Sequence, residues 1–477
     1  MARQISNIIR NIDWQIVIIY VFLVLAGWLN IYSAVFDENA SSIFDVSQKY
    51  GKQLIWIGAA FLLTAAILVL DSRFYFTFAY IFYFFIILSL IGVYLFAPEI
   101  KGARSWFEVG PLRIQPSEFA KLATSVVIAR YLGQYGVKIT RFSDAVKALF
   151  LLGLPAGLIV LQGDAGSSLV FAAFFFVFYR EGMSFNVILL GLGLALIFAL
   201  SIIWGGDIVS IIAIGGCLIV FFLYGIQKNH KISPLYLLLT FVVFIVPIVV
   251  YYIFKFKFSI IFIFLASFAL ASIPMLVYTY KKKISFLLIL FCIAFGSVLC
   301  SQSVGYVFNN ILEAHQQNRI NEFFGLVDDP QGTGFNVIQS KIAIGSGDWI
   351  GKGFLDGTQT KNNFVPEQST DFIFCTIGEE WGFVGSALII TLFVILILRI
   401  MHDAEQQRTA FSRIYGYCVA CILFFHVLIN IGMTIGLMPV IGIPLPFFSY
   451  GGSSLWGFTL LLFIFVKLDA NRTELIQ

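Results

Sequence analysis

The stretch FVPEQSTDFIFCTIGEEWGFVG, residues 364–385, sets Glu367 and Asp371 at the mouth of an apolar run and places Glu379 and Glu380 inside it. A carboxylate can take a proton from a hydroxyl, and an ionisable side chain inside hydrocarbon is costly enough to mark a functional cavity by default. A second group lies upstream in KGARSWFEVGPLRIQPSEFAKLATSVVIARYL, with Lys101 and Arg104, then Trp106, then Glu118 and Lys121 three residues apart on one helical face. A third lies in the polar segment before Asp371, where Arg319, Lys341, Lys352 and Lys361 stand. Cations and a carboxylate at a membrane surface suit a substrate with phosphates and hydroxyls. Each group also has a plainer reading. Trp106 fits an aromatic belt, Glu118 with Lys121 a structural ion pair, and Glu379 with Glu380 ion-paired or protonated groups deep in a bundle.

The scaffold that must position these residues is read from composition. With 60% hydrophobic and 12% charged residues, 53 Phe and 20 Tyr, the chain is far more apolar than a soluble domain. Apolar runs recur at 14–36, 50–70, 73–97, 116–133, 146–162, 165–179, 186–204, 208–225, 234–253, 258–279, 284–308, 371–400, 411–436 and 447–468. Measured against a hydrocarbon layer of about 30 Å, they predict an all-α polytopic membrane protein of about 14 spans, one transmembrane domain over residues 1–477. The first run is too long for a signal-peptide core and reads as an anchor. If the first residue is cytoplasmic, most of the 30 Lys and Arg face the cytoplasm, as the positive-inside rule favours. Both termini are then cytoplasmic, and segments 98–115 and 309–370 lie outside.

The net charge of +4 is small and its cations sit in short loops, so nucleic-acid binding has no support. The six cysteines lie in or at the edge of apolar runs, where Cys418-x-x-Cys421 reads as small hydrophobes rather than a redox pair. Segment 309–370 reads as one large loop. Gly345, Gly347, Gly351, Gly353 and Gly357 are too dense and irregular for a helix, and suit either an anion-binding nest or a flexible loop. Pro116 suits a first helical turn, and Asp164 a cap for the helix after it. His426 and Asn430, one turn apart, suit a hydrogen bond between helices.

Five motifs in order, KGARSWFEVGPLRIQPSEFAKLA, QGDAGSSLV, GFNVIQSKIAIGSGDWIGKGFLDGTQ, FVPEQSTDFIFCTIGEEWGFVG and NIGMTIGLMPVIGIPLPFFSYGGSS, resemble the SEDS family of peptidoglycan glycosyltransferases. QSKIAIGSG and GTQ resemble its elongation branch, RodA, more than its division branch, FtsW. The resemblance implies polymerisation of lipid II at the outer face of the bacterial cytoplasmic membrane. It also implies a class B penicillin-binding protein and other elongation-complex proteins as partners. Asp371 matches the family's catalytic aspartate, while Trp106, Glu118 and Lys121 match cavity-lining positions. Residues 185–300 match none of the motifs and read as an even-numbered insertion of extra helices, facing lipid and carrying no chemistry.

With that substrate granted, forming a β-1,4 bond from an α-linked sugar diphosphate inverts the anomeric carbon. A single displacement then needs a base for the acceptor hydroxyl, and Asp371 is placed for it. The diphosphate leaves without a second carboxylic acid, but its charge needs stabilising. Arg104, Lys121, Arg319, Lys341 and Lys352 are the candidates, with Glu367 as a substrate contact or loop-ordering group. A divalent cation at the diphosphate stays open. The rival readings are a lipid-linked oligosaccharide flippase and a scaffold for a partner enzyme. The sequence shows no second copy of its polar motifs such as transporter repeats would carry.

Overall fold

The computed structural model describes residues 10–36, 42–100, 102–110, 112–227, 269, 273, 277, 285–312, 314–326, 333–362 and 364–472. The chain divides into two compact units, residues 1–185 with 318–477, and residues 186–317. In the first, α1 (Trp14–Ala34) begins where the Asp13 carboxylate accepts from the N–H groups of Gln15 at 2.8 Å and Ile16 at 3.4 Å, which satisfies two donors a helix start leaves bare. It is followed by α2 (Lys49–Val69), α3 (Ser72–Thr77) and α4 (Ala79–Phe96). A short antiparallel hairpin, β1 (Phe107–Val109) and β2 (Leu112–Ile114), pairs Phe107 with Ile114. Then come α5 (Pro116–Leu132), with proline at its start as expected, and α6 (Phe142–Leu161). α7 (Ala165–Leu169) runs through a 3-10 turn into α8 (Phe174–Arg180).

The second unit carries α9 (Phe185–Trp204), α10 (Gly206–Gln227) and α11 (Ser285–Asn310). α10 and α11 meet through small and polar residues. The Ser210 and Ser301 hydroxyls are 2.7 Å apart, and Gln302 donates to Asp207 at 3.1 Å. A Cβ on Gly206 would lie 2.5 Å from the Ser301 carbonyl oxygen. Close backbones joined by polar side chains are the usual association of helices in lipid.

After α12 (Ala314–Phe323), the first unit continues with α13 (Thr333–Ser346), α14 (Thr358–Lys361), α15 (Ile373–Glu405), α16 (Ala410–Thr434) and α17 (Gly452–Ala470). α5, α16 and α17 form its centre, buried along most of their lengths. Among the described residues, nine helices are long and apolar enough to cross a membrane. The expected spans from 14–36 to 208–225, and those at 284–308, 371–400, 411–436 and 447–468, fall on helices or runs of short helices. Those at 234–253 and 258–279 lie outside the described residues, apart from three isolated positions.

The single loop expected over 309–370 is corrected: it holds three helices. Val337, Ser340, Ala343 and Ile344 recur at three- and four-residue spacing and give α13 one protein-facing side, with Ser340 and Ala343 fully buried. The irregular, glycine-rich part is confined to 347–357. All six cysteines are free.

Candidate active site at the mouth of a broken helix

α15 is not one straight helix. Gly382 has φ 63° and ψ −158°, a conformation closed to side chains, and the glycine-rich segment inserts against this break. Lys352 N–H donates to the Glu379 carbonyl at 3.0 Å and Gly353 N–H to that of Glu380 at 3.1 Å. In return, Phe383 and Val384 N–H donate to the carbonyls of Asp348 (2.9 Å) and Trp349 (3.1 Å). A Cβ on Gly347 would lie 1.9 Å from the Gly378 oxygen, and one on Gly351 2.1 Å from that of Glu380. The anion-nest expectation is therefore corrected: these N–H groups bond protein backbone.

Glu379, fully buried, organises the same segment. One oxygen accepts from Lys352 Nζ at 2.8 Å, Thr358 Oγ1 at 3.1 Å and Gln359 N–H at 2.9 Å, and the other from Thr360 N–H at 2.9 Å. It thus caps α14 and neutralises Lys352. Glu380 accepts from the Ser33 hydroxyl of α1, and its second oxygen is buried without a partner.

The backbone before α15 is pinned residue by residue. Val365 and Phe372 anchor it in an apolar cluster with Ala343 and Cys375. Between them Gln368 donates to the carbonyls of Ala34 (2.6 Å) and Thr360 (2.8 Å). Ser369 accepts from Lys49 Nζ at 3.0 Å and, through its carbonyl, from Tyr450 N–H at 2.9 Å. The Thr370 carbonyl accepts from Ser449 at 2.6 Å and that of Asp371 from Asn430 at 2.8 Å. Glu367 turns the chain with φ 54°, and its carbonyl accepts from Thr370 and Phe372 N–H. Asp371 is half-buried, its carboxylate beside Gly442, where an added Cβ would lie 3.4 Å from Oδ2.

Glu118 and Lys121 pair at 2.9 Å with both side chains almost fully buried, and Lys121 also meets His426 Nε2 at 3.0 Å and lies 4.8 Å over the Phe458 ring. Lys121 is therefore a paired interior cation, not one open to a leaving group. His426 and Asn430 do not bond one another. His426 Nδ1 meets the Pro444 carbonyl at 3.1 Å, and Asn430 donates to that of Ile443 at 2.7 Å. The hairpin loop joins this region through Ser453, which accepts from Gln115 N–H and donates to the Arg113 carbonyl. Asp164 caps α7 through Ser167 N–H at 3.0 Å, as expected, and accepts from Gln115 at 2.9 Å. Arg104 is exposed and lies 3.5 Å from Glu99, while Trp106 is half-buried.

Lys341, exposed on α13, reaches Gly436 at the end of α16. Arg319 is half-buried on α12, and among the described residues no ion pair joins it to the other candidates. Lys101 lies outside the described residues. Sequence reasoning missed Lys49, and it foresaw bonds from His426 and Asn430 to other elements without their partners. Lys49 sits at the first turn of α2, far in sequence from every motif, and 5.9 Å from the Tyr450 ring centre. Among the described residues, no three His, Cys, Asp or Glu gather as a metal site would need.

This arrangement can present one carboxylate on rigid backbone, with cations nearby, to a substrate at the mouth of α15. The FtsW/RodA/SpoVE family model, described as cell cycle protein, matches residues 13–213 and 211–474, and so runs through the segment the motifs leave uncovered. The peptidoglycan glycosyltransferase RodA of Treponema pallidum (strain Nichols) is 31% identical over 472 residues, covering 97% of this chain and 99% of its own. The peptidoglycan glycosyltransferase MrdB of Escherichia coli (strain K12) is 28% identical over 431 residues, covering 90% and 86%. Among solved structures, a peptidoglycan synthase complex that coordinates polymerization and crosslinking aligns with TM-score 0.61 and 25% identity, covering 97% of this chain and 99% of that one. The rod shape determining protein RodA of Thermus thermophilus aligns with TM-score 0.55 and 22% identity over 97% and 98%, a likeness of fold. With the family model matched along nearly its whole length, the chain belongs to the FtsW/RodA/SpoVE family of multi-span membrane proteins.

Proposed function

We propose that the chain is a peptidoglycan glycosyltransferase of cell elongation that polymerises lipid II and releases undecaprenyl diphosphate. Asp371 removes the proton from the acceptor's 4-hydroxyl as that oxygen attacks the donor's anomeric carbon from the face opposite the diphosphate. The bond to the diphosphate oxygen breaks as the β-1,4 bond forms, and no covalent enzyme intermediate is needed. The observation that carries this reading is the pinning of residues 369–371 by hydrogen bonds from α2, α16 and the segment before α17. A base fixed before substrate arrives needs little reorganisation in the transition state.

Arg104, Arg319 and Lys341, with Lys49 beside Ser369, supply positive charge for the diphosphate. Lys121 and Lys352 act through the carboxylates that hold them, Glu118 and Glu379. Trp106 and Glu367 flank the substrate. Both termini are inside and the chemistry faces the outer side of the bacterial cytoplasmic membrane, where a class B penicillin-binding protein crosslinks the product as one member of an elongation complex. The unit of residues 186–317 contributes no catalytic groups. Purified protein incubated with purified lipid II, with and without that partner, tests the reading. Glycan strands are expected. Intact lipid II in both reactions, with its transfer across vesicle membranes, would favour the flippase instead.

A further inference from the structure

We infer that Asn430 is a positioning residue that sets the Asp371 carboxylate against Gly442, an inference that rests on Asp371 being the base. Asn430 is fully buried on α16. Its Nδ2 donates to the Asp371 carbonyl at 2.8 Å and the Ile443 carbonyl at 2.7 Å, which uses both amide hydrogens. Its Oδ1 is buried without a partner. Turning the amide over would aim that oxygen at two carbonyl oxygens, so the orientation is dictated by the neighbours. A side chain that leaves its acceptor unpaired while joining two carbonyls from separate segments is there for its donors.

The two carbonyls belong to the two walls that meet at the carboxylate. One is the backbone of Asp371 itself. The other is the residue after Gly442, which at φ 77° passes close enough that a methyl group there would touch Asp371 Oδ2. One turn earlier on α16, His426 holds the next carbonyl along. Lys121 has only donors, so His426 Nε2 accepts from it and Nδ1 carries the proton given to the Pro444 oxygen. Glu118 fixes Lys121 in turn. Helix α16 therefore clamps Ile443 and Pro444 together, and Asn430 extends the clamp to Asp371. Releasing it removes the tie from Ile443 to the Asp371 carbonyl and leaves the base held through its neighbours Ser369 and Thr370.

The test combines Asn430→Leu with Asp371→Asn in the full-length protein. Polymerisation rate is measured across lipid II concentrations, and lipid II binding is measured separately at equilibrium. Asn430→Leu should lower kcat by about 30- to 100-fold, the scale of a misplacement near 1 Å, while leaving the lipid II Kd within about threefold. In the Asp371→Asn background the same change should lower the residual rate no further, since the amide acts only through Asp371. A loss of the same factor in both backgrounds would show a general structural role and overturn the inference, as would an unchanged kcat in the single variant. If Asp371→Asn alone keeps the wild-type rate, the reading of the base fails instead, and the inference falls with it. Should Asn430→Leu not accumulate as folded protein, Asn430→Ser keeps one donor. It should lose less kcat with the same non-additivity, and full activity in it would overturn the inference.

Discussion

Replacing Gly382 by alanine should unlock the glycine-rich segment from the break in α15. An added Cβ would lie 2.3 Å from Gly351 N, 2.8 Å from Ile350 C and 2.9 Å from Gly347 O. All three are backbone atoms, so no rotamer change relieves the clash, and the segment must retreat by about 1 Å to reach ordinary contact. That retreat breaks the exchange joining Lys352 and Gly353 to Glu379 and Glu380, and Asp348 and Trp349 to Phe383 and Val384. Four backbone hydrogen bonds at about 0.5–1.5 kcal/mol each amount to about 2–6 kcal/mol. An alanine in this glycine-only region adds about 1–3 kcal/mol, for a total of about 3–9 kcal/mol. The melting temperature of the detergent-purified protein should fall by about 3–9 °C. Gly157→Ala is the control: it is helical in α6 with nothing within 4 Å of an added Cβ, and should gain up to ~1 kcal/mol. A Gly382→Ala melting temperature equal to that of wild type would refute the claim that this glycine holds the break closed.

The Lys352–Glu379 pair should behave as one unit. Glu379→Gln should destabilise by about 2–4 kcal/mol, less than breaking a wholly buried pair because Lys352 is partly exposed, and Lys352→Met should add little on top of it. Full additivity in melting of the double variant would contradict the pairing. Topology reporters fused after residues 230, 282 and 340 should read inside, inside and outside. A reporter at 340 reading inside would place Asp371 on the wrong side of the membrane for its substrate.

Local physics explains what was legible in the sequence. The long apolar runs announce their helices, because hydrocarbon leaves the backbone no other partner. Pro116 and Asp164 mark helix starts, and Glu118 with Lys121 needs only a spacing of three to predict their pairing. α13 was hidden because its buried side is made of Ser340 and Ala343, while the glycines just beyond its end dominate the local composition. The glycines themselves were ambiguous: density predicts free N–H groups, but whether these meet a ligand or a carbonyl depends on the break at Gly382, about 30 residues away. The ties from Asn430 to Asp371 and from Lys49 to Ser369 join segments that share no local pattern. Such contacts are set by the packing of α2, α15 and α16, which no single stretch encodes.

Polymerisation of purified lipid II by purified Asp371→Asn is the most direct test of the proposed chemistry. The substitution removes the base and almost no volume, and it leaves the Asp371 carbonyl in place for Asn430. Glycan synthesis should fall by at least the ~10²–10⁴-fold typical of a general base, with lipid II binding and melting temperature close to wild type. Strands of normal length made at a near-normal rate would contradict the assignment of Asp371 and the inverting mechanism built on it.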